Sequence, residues 1–491
     1  MTLSRRSVLA GAIGAGAFTY AGWTAGDAAV ERQPLRIPPL VDARKEGNAV
    51  ALRVQAGATE FFPGRASASL GYSGGYLGPS IRIYRGDNVE IAVTNTLKED
   101  TTVHWHGLLI PAELDGGPHQ IIVPGDTWRP RLPIRQPAAT LFYHSHIHGR
   151  TGAQVYSGLA GLLLVTDEGE RALALPSEYG VDDLPVVIQD RQFDDGLMVV
   201  PQGMMTMMQG RRGNTILANG TPNATARVPN RLVRLRLVNG SNARIYDLSF
   251  GDNRAFHWIA SEGGLLDRPI SVRSLTLAPG ERGEVLVDFS NGQAVSLKTA
   301  PDTNMNMPMM IGPLAQARKL AKEILGGQGE AVLQFVPVGG LGTPSKIPER
   351  LVERPRADPS KANTRRRFVL GMGGMMGGGT RSGGGMVING RPFDMNRIDE
   401  DVRLGETEIW EVSGEMMSHP FHIHGVQFEV LSRNGGKPIL RDTGARDTVL
   451  VKEPVELLVH FDQPAEKAPF MYHCHILEHE DNGMMGQFRT I

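Results

Sequence analysis

His473-Cys474-His475-Ile476-Leu477-Glu478-His479-Glu480-Asp481-Asn482-Gly483-Met484 contains the chain's single cysteine, with histidine on both sides of it. Along an extended strand, alternate side chains face opposite ways. His473 and His475 then point to one side and Cys474 to the other, where His479 and Met484 can reach it. A thiolate, imidazoles and a weak axial thioether make the donor set of a blue-copper electron-transfer centre. One imidazole of that set is missing here, so another part of the chain must supply it. A buried, inert cysteine with incidental histidines explains none of this spacing.

Ten of the 14 histidines fall into four such clusters, two early and two late. The early ones are His104-Trp105-His106 and His144-Ser145-His146, each aiming two imidazoles into one space if both residues lie on a strand. The third, His419-Pro420-Phe421-His422-Ile423-His424, offers His419 as the missing blue-copper imidazole. His104, His106, His144, His146, His422, His424, His473 and His475 are then expected to surround three further coppers between the first and last parts of the chain. His257 and His460 read as ordinary strand residues, and His119 and His148 as neighbours of the cluster without being ligands.

Bulk properties are those of a globular protein. The 491 residues suffice for three domains of ordinary size. Hydrophobic residues make up 41%, charged residues 21%, and the net charge is -1. This gives no reason to expect nucleic acid or an anionic membrane as partner. With 60 Gly and 32 Pro, the chain suits short strands and turns better than long helices.

Ser4-Arg5-Arg6-Ser7-Val8-Leu9 opens a Gly/Ala-rich apolar run ending near Ala28-Ala29. A positive head, a moderately apolar stretch and small residues at its end read as an export signal over residues 1–29. The paired arginines resemble a twin-arginine signal, which implies delivery of a folded protein to the periplasm. A membrane anchor is the competing reading, weakened by the many Gly and Ala residues. A lone cysteine exported to an oxidising compartment cannot pair within the chain, and a metal is its natural occupant.

Three segments share a rhythm of alternating strands and turns. Gly86-Asp87-Asn88-Val89-Glu90-Ile91 leads to the first cluster as Gly405-Glu406-Thr407-Glu408-Ile409 leads to the third. Such a repeat predicts an all-β protein of three β-sandwich domains over residues 45–168, 180–338 and 387–491. Residues 339–386 are expected to form a linker and a Gly/Met-rich loop. The middle segment has no histidine cluster and is expected to serve as scaffold and substrate surface.

In order and spacing, the four clusters resemble the copper-ligand signature of the three-domain multicopper oxidases, the laccase-like family. The resemblance covers essentially the whole mature chain. It implies three cupredoxin-like Greek-key sandwiches, four copper ions and reduction of dioxygen to water. It implies type 2 copper at His104 and His422, and a type 3 pair at His106, His144, His146, His424, His473 and His475. Type 1 copper falls to His419, Cys474, His479 and Met484, the spacing favouring Met484 over Met485. Dioxygen reduction consumes protons, and Asp115 and Glu480 are the expected relays, as similar acids are in the family.

The 20 methionines bear on the reducing substrate. They gather at Met204 to Met208, Met305 to Met310, Met372 to Met376 and Met416-Met417. Thioethers prefer Cu(I), although adaptable core packing is their ordinary role. The pattern is similar to bacterial periplasmic cuprous oxidases of copper tolerance, which implies a substrate copper held by Glu415 and Met417, with Met372 as a further sulfur. Glu415 stands where the subfamily has Asp, and the Met-rich insert is short and lacks histidine. The expected partners are therefore dioxygen and either Cu(I) or a small aromatic reductant, on a monomer with no stable membrane association. A laccase-type oxidase of phenols, aromatic amines or bilirubin-like pigments is the alternative. A cell-division or scaffold relative that has lost its copper is disfavoured because no ligand is missing here. A copper store would not need the paired type 3 histidines, and a two-domain nitrite reductase is disfavoured by length.

Overall fold

The computed structural model describes residues 32–302, 304, 329–340, 342, 346–354, 358–373 and 385–491. The signal over residues 1–29, Met305 to Met310 and Met375-Met376 lie outside the described residues. Among those described, six sheets pair into three two-layer sandwiches. Alternation drives each one. Ala49–Phe62 buries Val50, Leu52 and Val54 while the residues between them face solvent, the period-2 signature of a half-buried strand. Each core closes on one fully buried tryptophan: Trp105 in the first sandwich, Trp258 in the second and Trp410 in the third.

Register decides where the histidines meet. In the first sandwich, His104–His106 pairs antiparallel with Ala139–His144, setting His104 opposite His144. In the third, His419–Ile423 pairs with Phe470–Cys474, setting His422 opposite His473 and Phe421 opposite Cys474. Directly opposed residues on one sheet face are close neighbours. Each end sandwich thus presents a histidine-bearing sheet, and the two sheets face each other.

The middle sandwich fastens both. Arg234 and Arg236, on Leu232–Asn239, form a buried network with Glu170, Asp183, Glu284 and Thr140. On its other side Arg211 pairs with Glu478 at 2.6 Å, Arg282 with Asp447, and Glu281 with Arg441.

Several boundaries differ from the sequence expectation. Thr364–Met372 lies within the stretch expected as linker, yet it is a strand paired with Thr407–Gly414, and Phe368 and Leu370 are fully buried. Its arginines hid the alternation: Arg365 and Arg367 are outward positions, and Arg366, on the same side as Phe368 and Leu370, is paired with Glu400 and Glu408. Met386–Ile388 continues the same sheet, so the last sandwich begins ahead of residue 387. Before residue 45, Gln33–Pro34 adds a strand to the middle sandwich and Leu40–Asp42 one to the first. The strand Ala139–His144 ends at His144, so His146 reaches the cluster from a loop and not by strand alternation.

Candidate metal centre

Every histidine of the four clusters is buried, and so is Cys474. Five groups of donor atoms each come within 4.8 Å of one another: His146/His424/His473, His106/His144/His475, His104/His106/His422, His419/Cys474/His479 and His104/Asp115/His424. The first three groups form one continuous cluster. His473 and His475 enter it from either side of Cys474, whose sulfur faces the separate fourth group.

A neutral imidazole has one N–H and one lone pair, so the partner of one nitrogen reveals which nitrogen is free. His104 Nδ1 donates to the Asp115 carbonyl at 3.1 Å, and His144 Nδ1 to the Ser145 carbonyl at 2.8 Å. His422 Nδ1 donates to the Asp447 carbonyl at 2.7 Å and His473 Nδ1 to the Cys474 carbonyl at 3.1 Å. His424 Nδ1 donates to Asp115 Oδ2 at 2.7 Å. Each leaves Nε2 bare. Two of these bare atoms, His104 Nε2 and His422 Nε2, are buried with no hydrogen-bond partner. Others face each other at contact distance: His473 Nε2 lies 3.2 Å from His146 Nε2 and 3.1 Å from His424 Nε2.

Facing lone pairs repel unless a cation lies between them. Donors about 2.0 Å from a shared ion in tetrahedral geometry are roughly 3.3 Å apart, which is the spacing found. Burial also keeps the rings in the required neutral form. It holds His106, His144, His146, His424, His473 and His475 well below the ordinary histidine value and lowers His422. These residues fit a group of copper ions by both donor type and spacing.

The cysteine group follows the same logic with the ring orientation reversed. His419 Nε2 donates to the Glu415 carbonyl and His479 Nε2 to the Met208 carbonyl, both at 3.1 Å. Their Nδ1 atoms are left 3.3 Å apart and 3.5 and 3.6 Å from Cys474 Sγ. Burial lowers His419 to about 4 and His479 to about 3. It pushes the Cys474 thiol up, so a thiolate there needs a cation. The Ile476 N–H points at the sulfur, 3.4 Å away. Met484 is fully buried beside this group, its N–H bonded to the His479 carbonyl and its carbonyl accepting from Cys474 N–H.

Both expected proton relays lie against the large cluster. Asp115 caps a short 3₁₀ turn and touches His104 and His424. Glu480 is fully buried; its oxygens lie 3.3 Å from His146 Nδ1 and 3.2 Å from His473 Nδ1. Burial, with the neighbouring Asp481 charge, pushes Glu480 well above the usual carboxylate range. His119 bonds to Gln487 at 2.8 Å, His148 is exposed against Phe393, and His257 and His460 sit in strands. None of these four joins a donor group among the described residues.

The expected substrate residues also come together. A small cavity beside His419 and His479 is lined by Met208, Gly371, Met372, Met386, Glu415, Met416 and Met417. Met208 belongs to the methionine group at 204–208, but neither it nor Met386 was expected beside Glu415 and Met417. Met208 comes from the helix Met204–Gln209 of the middle sandwich, far away in sequence. Asp447 was missed as well: it lies fully buried against His106 and His422, in a stretch with no periodic signal.

Residues 53–170 and 362–491 each match the multicopper oxidase family. A relative from Rahnella sp. named cell division protein FtsP is 40% identical over 99% of this chain and 98% of its own length. Among solved structures, a laccase-like multicopper oxidase CueO from Ochrobactrum sp., described with oxidase activity towards lignin model compounds and lignosulfonate, is 41% identical. It covers 93% of this chain and all of its own at a TM-score of 0.83. The multicopper oxidase McoA from Aquifex aeolicus is 34% identical, covering 94% of this chain and 99% of its own, at a TM-score of 0.81. No helix among the described residues is long and apolar enough to cross a membrane. With its three cupredoxin sandwiches and its buried histidine clusters, the chain belongs to the multicopper oxidase family.

Proposed function

We propose that this chain is a periplasmic copper-dependent oxidase that oxidises Cu(I) to Cu(II) and passes the electrons to dioxygen. The observation that carries the reading is the convergence of ten buried histidines and one cysteine with their free donor atoms facing each other. When bound, copper at Cys474 supplies one-electron transfer, and copper in the histidine cluster supplies the reducing equivalents for dioxygen. Four Cu(I) ions yield four electrons, which with four protons convert one dioxygen to two waters.

The protein's own residues do the rest. Cys474 joins its copper site covalently to His473 and His475, a short path through bonds. Glu480, buried against His146 and His473 and pushed well above the usual carboxylate range, is placed to give up a proton as negative charge develops nearby. Asp115 contacts His104 and His424 of the same cluster.

The substrate assignment is supported by the cavity beside His419 and His479. It has room for about one water-sized particle, which is the size of an ion and far below that of a phenol ring. Its wall combines soft thioethers with the carboxylate of Glu415, a donor set suited to Cu(I). Glu415 and Met208 each lend their carbonyl to a type 1 histidine, so the cavity wall is bonded to the electron acceptor. Met416 is held at φ 63° with an exposed side chain at the rim, a conformation strained for a non-glycine residue and frequent at functional sites.

A second reading, a scaffold role without oxidase activity, comes from the relatives named for cell division. Copper analysis and oxygen-consumption kinetics separate the two. Cu(I) should drive oxygen uptake, and Glu415→Ala/Met417→Ala should raise the KM for Cu(I) while keeping the blue colour. Unchanged Cu(I) kinetics in that variant would remove the substrate site. A wild-type chain that takes up no copper would favour the scaffold reading.

A further inference from the structure

The middle sandwich has no histidine cluster, yet it reaches the large cluster through Arg282. This residue opens the strand Arg282–Asp288 and is wholly buried. Its guanidinium grips Asp447 of the last sandwich with two parallel bonds, Nη1 to Oδ1 at 2.7 Å and Nη2 to Oδ2 at 2.6 Å. Its Nε donates to the Thr140 carbonyl of the first sandwich at 3.2 Å. One side chain therefore ties all three sandwiches at the edge of the cluster.

Asp447 uses this anchorage on two histidines. Its Oδ1 accepts from His106 Nε2 at 3.1 Å, and its carbonyl accepts from His422 Nδ1 at 2.7 Å. The first contact has a specific consequence. With Nε2 protonated, His106 presents Nδ1 to the cluster, where it lies 3.4 Å from His144 Nε2. His104, His144, His422, His424 and His473 all present Nε2 instead. Among these, His106 is thus the histidine that needs the opposite tautomer; Asp447 Oδ1 is its nearer and charged acceptor, and Thr448 Oγ1, 3.3 Å from the same nitrogen, is itself bonded to Asp447 Oδ1. The surroundings are shaped for the pair. A side chain at Gly107, next to His106, would come within 2.6 Å of Asp447 Oδ2 and closer still to Arg282 Nη2. A side chain at Gly280, two residues before Arg282, would meet the His475 ring at 2.9 Å.

We propose that Arg282 and Asp447 are positioning residues of the histidine cluster: Asp447 sets the His106 tautomer, and Arg282, from the middle sandwich, fixes the Asp447 carboxylate in place. The consequence for copper rests on the function proposed above; the tautomer does not.

The test uses the full chain with Asp447→Leu, Arg282→Met and the double variant Arg282→Met/Asp447→Leu. In metal-free protein labelled with ¹⁵N-histidine, the wild type should show His106 as the Nε2–H tautomer, assigned by its absence in His106→Gln. Asp447→Leu and the double variant should lose that signature. In copper-loaded protein both should keep the blue colour of the Cys474 site, which touches neither residue, while affinity of the histidine cluster for copper falls about 10- to 100-fold. Each single variant leaves one buried charge unpaired and should lose thermal stability. The double variant should regain it, because replacing both members of a buried pair by apolar groups is often neutral. Recovery of stability without recovery of tautomer or cluster copper separates positioning from bulk stability. The proposal is overturned if the double variant regains full cluster copper, or if His106 keeps its tautomer without Asp447. A wild type that binds no copper would refute the proposed function, with the tautomer measurement still deciding this one.

Discussion

Gly107→Ala is a small change whose effect should be large for a stated reason. Gly107 has φ 87°, in the left-handed region, as does Gly86 at φ 97°. An alanine at either position bears the same conformational cost, about 1–2 kcal/mol. The sites differ in what the new methyl meets. At Gly86 nothing lies within 4 Å, whereas at Gly107 the methyl collides with the Arg282–Asp447 pair and approaches Leu141 Cδ2 at 3.0 Å. The guanidinium is the far end of a flexible side chain, but it is wholly buried and held at both forks, so it cannot swing away. Breaking a buried ion pair costs about 3–5 kcal/mol. Gly107→Ala should therefore exceed Gly86→Ala in destabilisation by roughly that amount. Thermal unfolding of the metal-free proteins measures the difference, since bound metal would mask it. With about 2.1 cal/mol/K of unfolding entropy per residue over a chain of this length, the midpoints of the two variants should differ by about 3–5 °C. Equal midpoints would refute the claim that the pair occupies the space beside His106.

Three further variants test other parts of the site. Glu480→Gln should slow reoxidation of the reduced enzyme by dioxygen and leave the blue colour intact; unchanged reoxidation removes Glu480 from the proton relay. The same variant tests the pH linkage. Burial raises Glu480 in the folded protein, so the native state keeps a proton that the unfolded chain releases. Stability of the metal-free protein should then fall as pH rises above the ordinary carboxylate value, and less steeply in Glu480→Gln, as urea midpoints across pH will show. Met416→Gly removes a thioether and relieves a left-handed non-glycine residue, so its thermal midpoint should not fall, while the KM for Cu(I) should rise. Met208→Leu keeps the carbonyl that holds His479; its blue absorption should match the wild type while Cu(I) oxidation weakens, and equal Cu(I) kinetics would exclude Met208 from the substrate site.

Much of the centre was legible because metal ligation leaves local marks. His-x-His on a strand, as at His104/His106, encodes direction by alternation alone, and His-Cys-His at 473–475 straddles the end of the strand Phe470–Cys474. Strand Thr364–Met372 was less legible because arginines on its outward face masked two buried apolar positions. The His146 position depended on where a strand ends, a boundary that propensity does not mark. Asp447 and Arg282 left no mark at all, since a single charged residue without a periodic neighbour looks like surface, and Met208 showed only as one of a methionine group.

From the local pattern alone came the donor set: which histidines travel together, the lone cysteine among them, and a β architecture able to aim them. These depend on spacing within a few residues, where backbone geometry is nearly invariant. Tertiary packing decided which nitrogen each histidine presents, because the tautomer is set by an acceptor that can come from anywhere in the chain. It likewise made the middle sandwich a participant. Its Arg282 and Met208 reach the two halves of the centre across 165 and 271 residues of sequence, and only the folded chain brings them within a hydrogen bond.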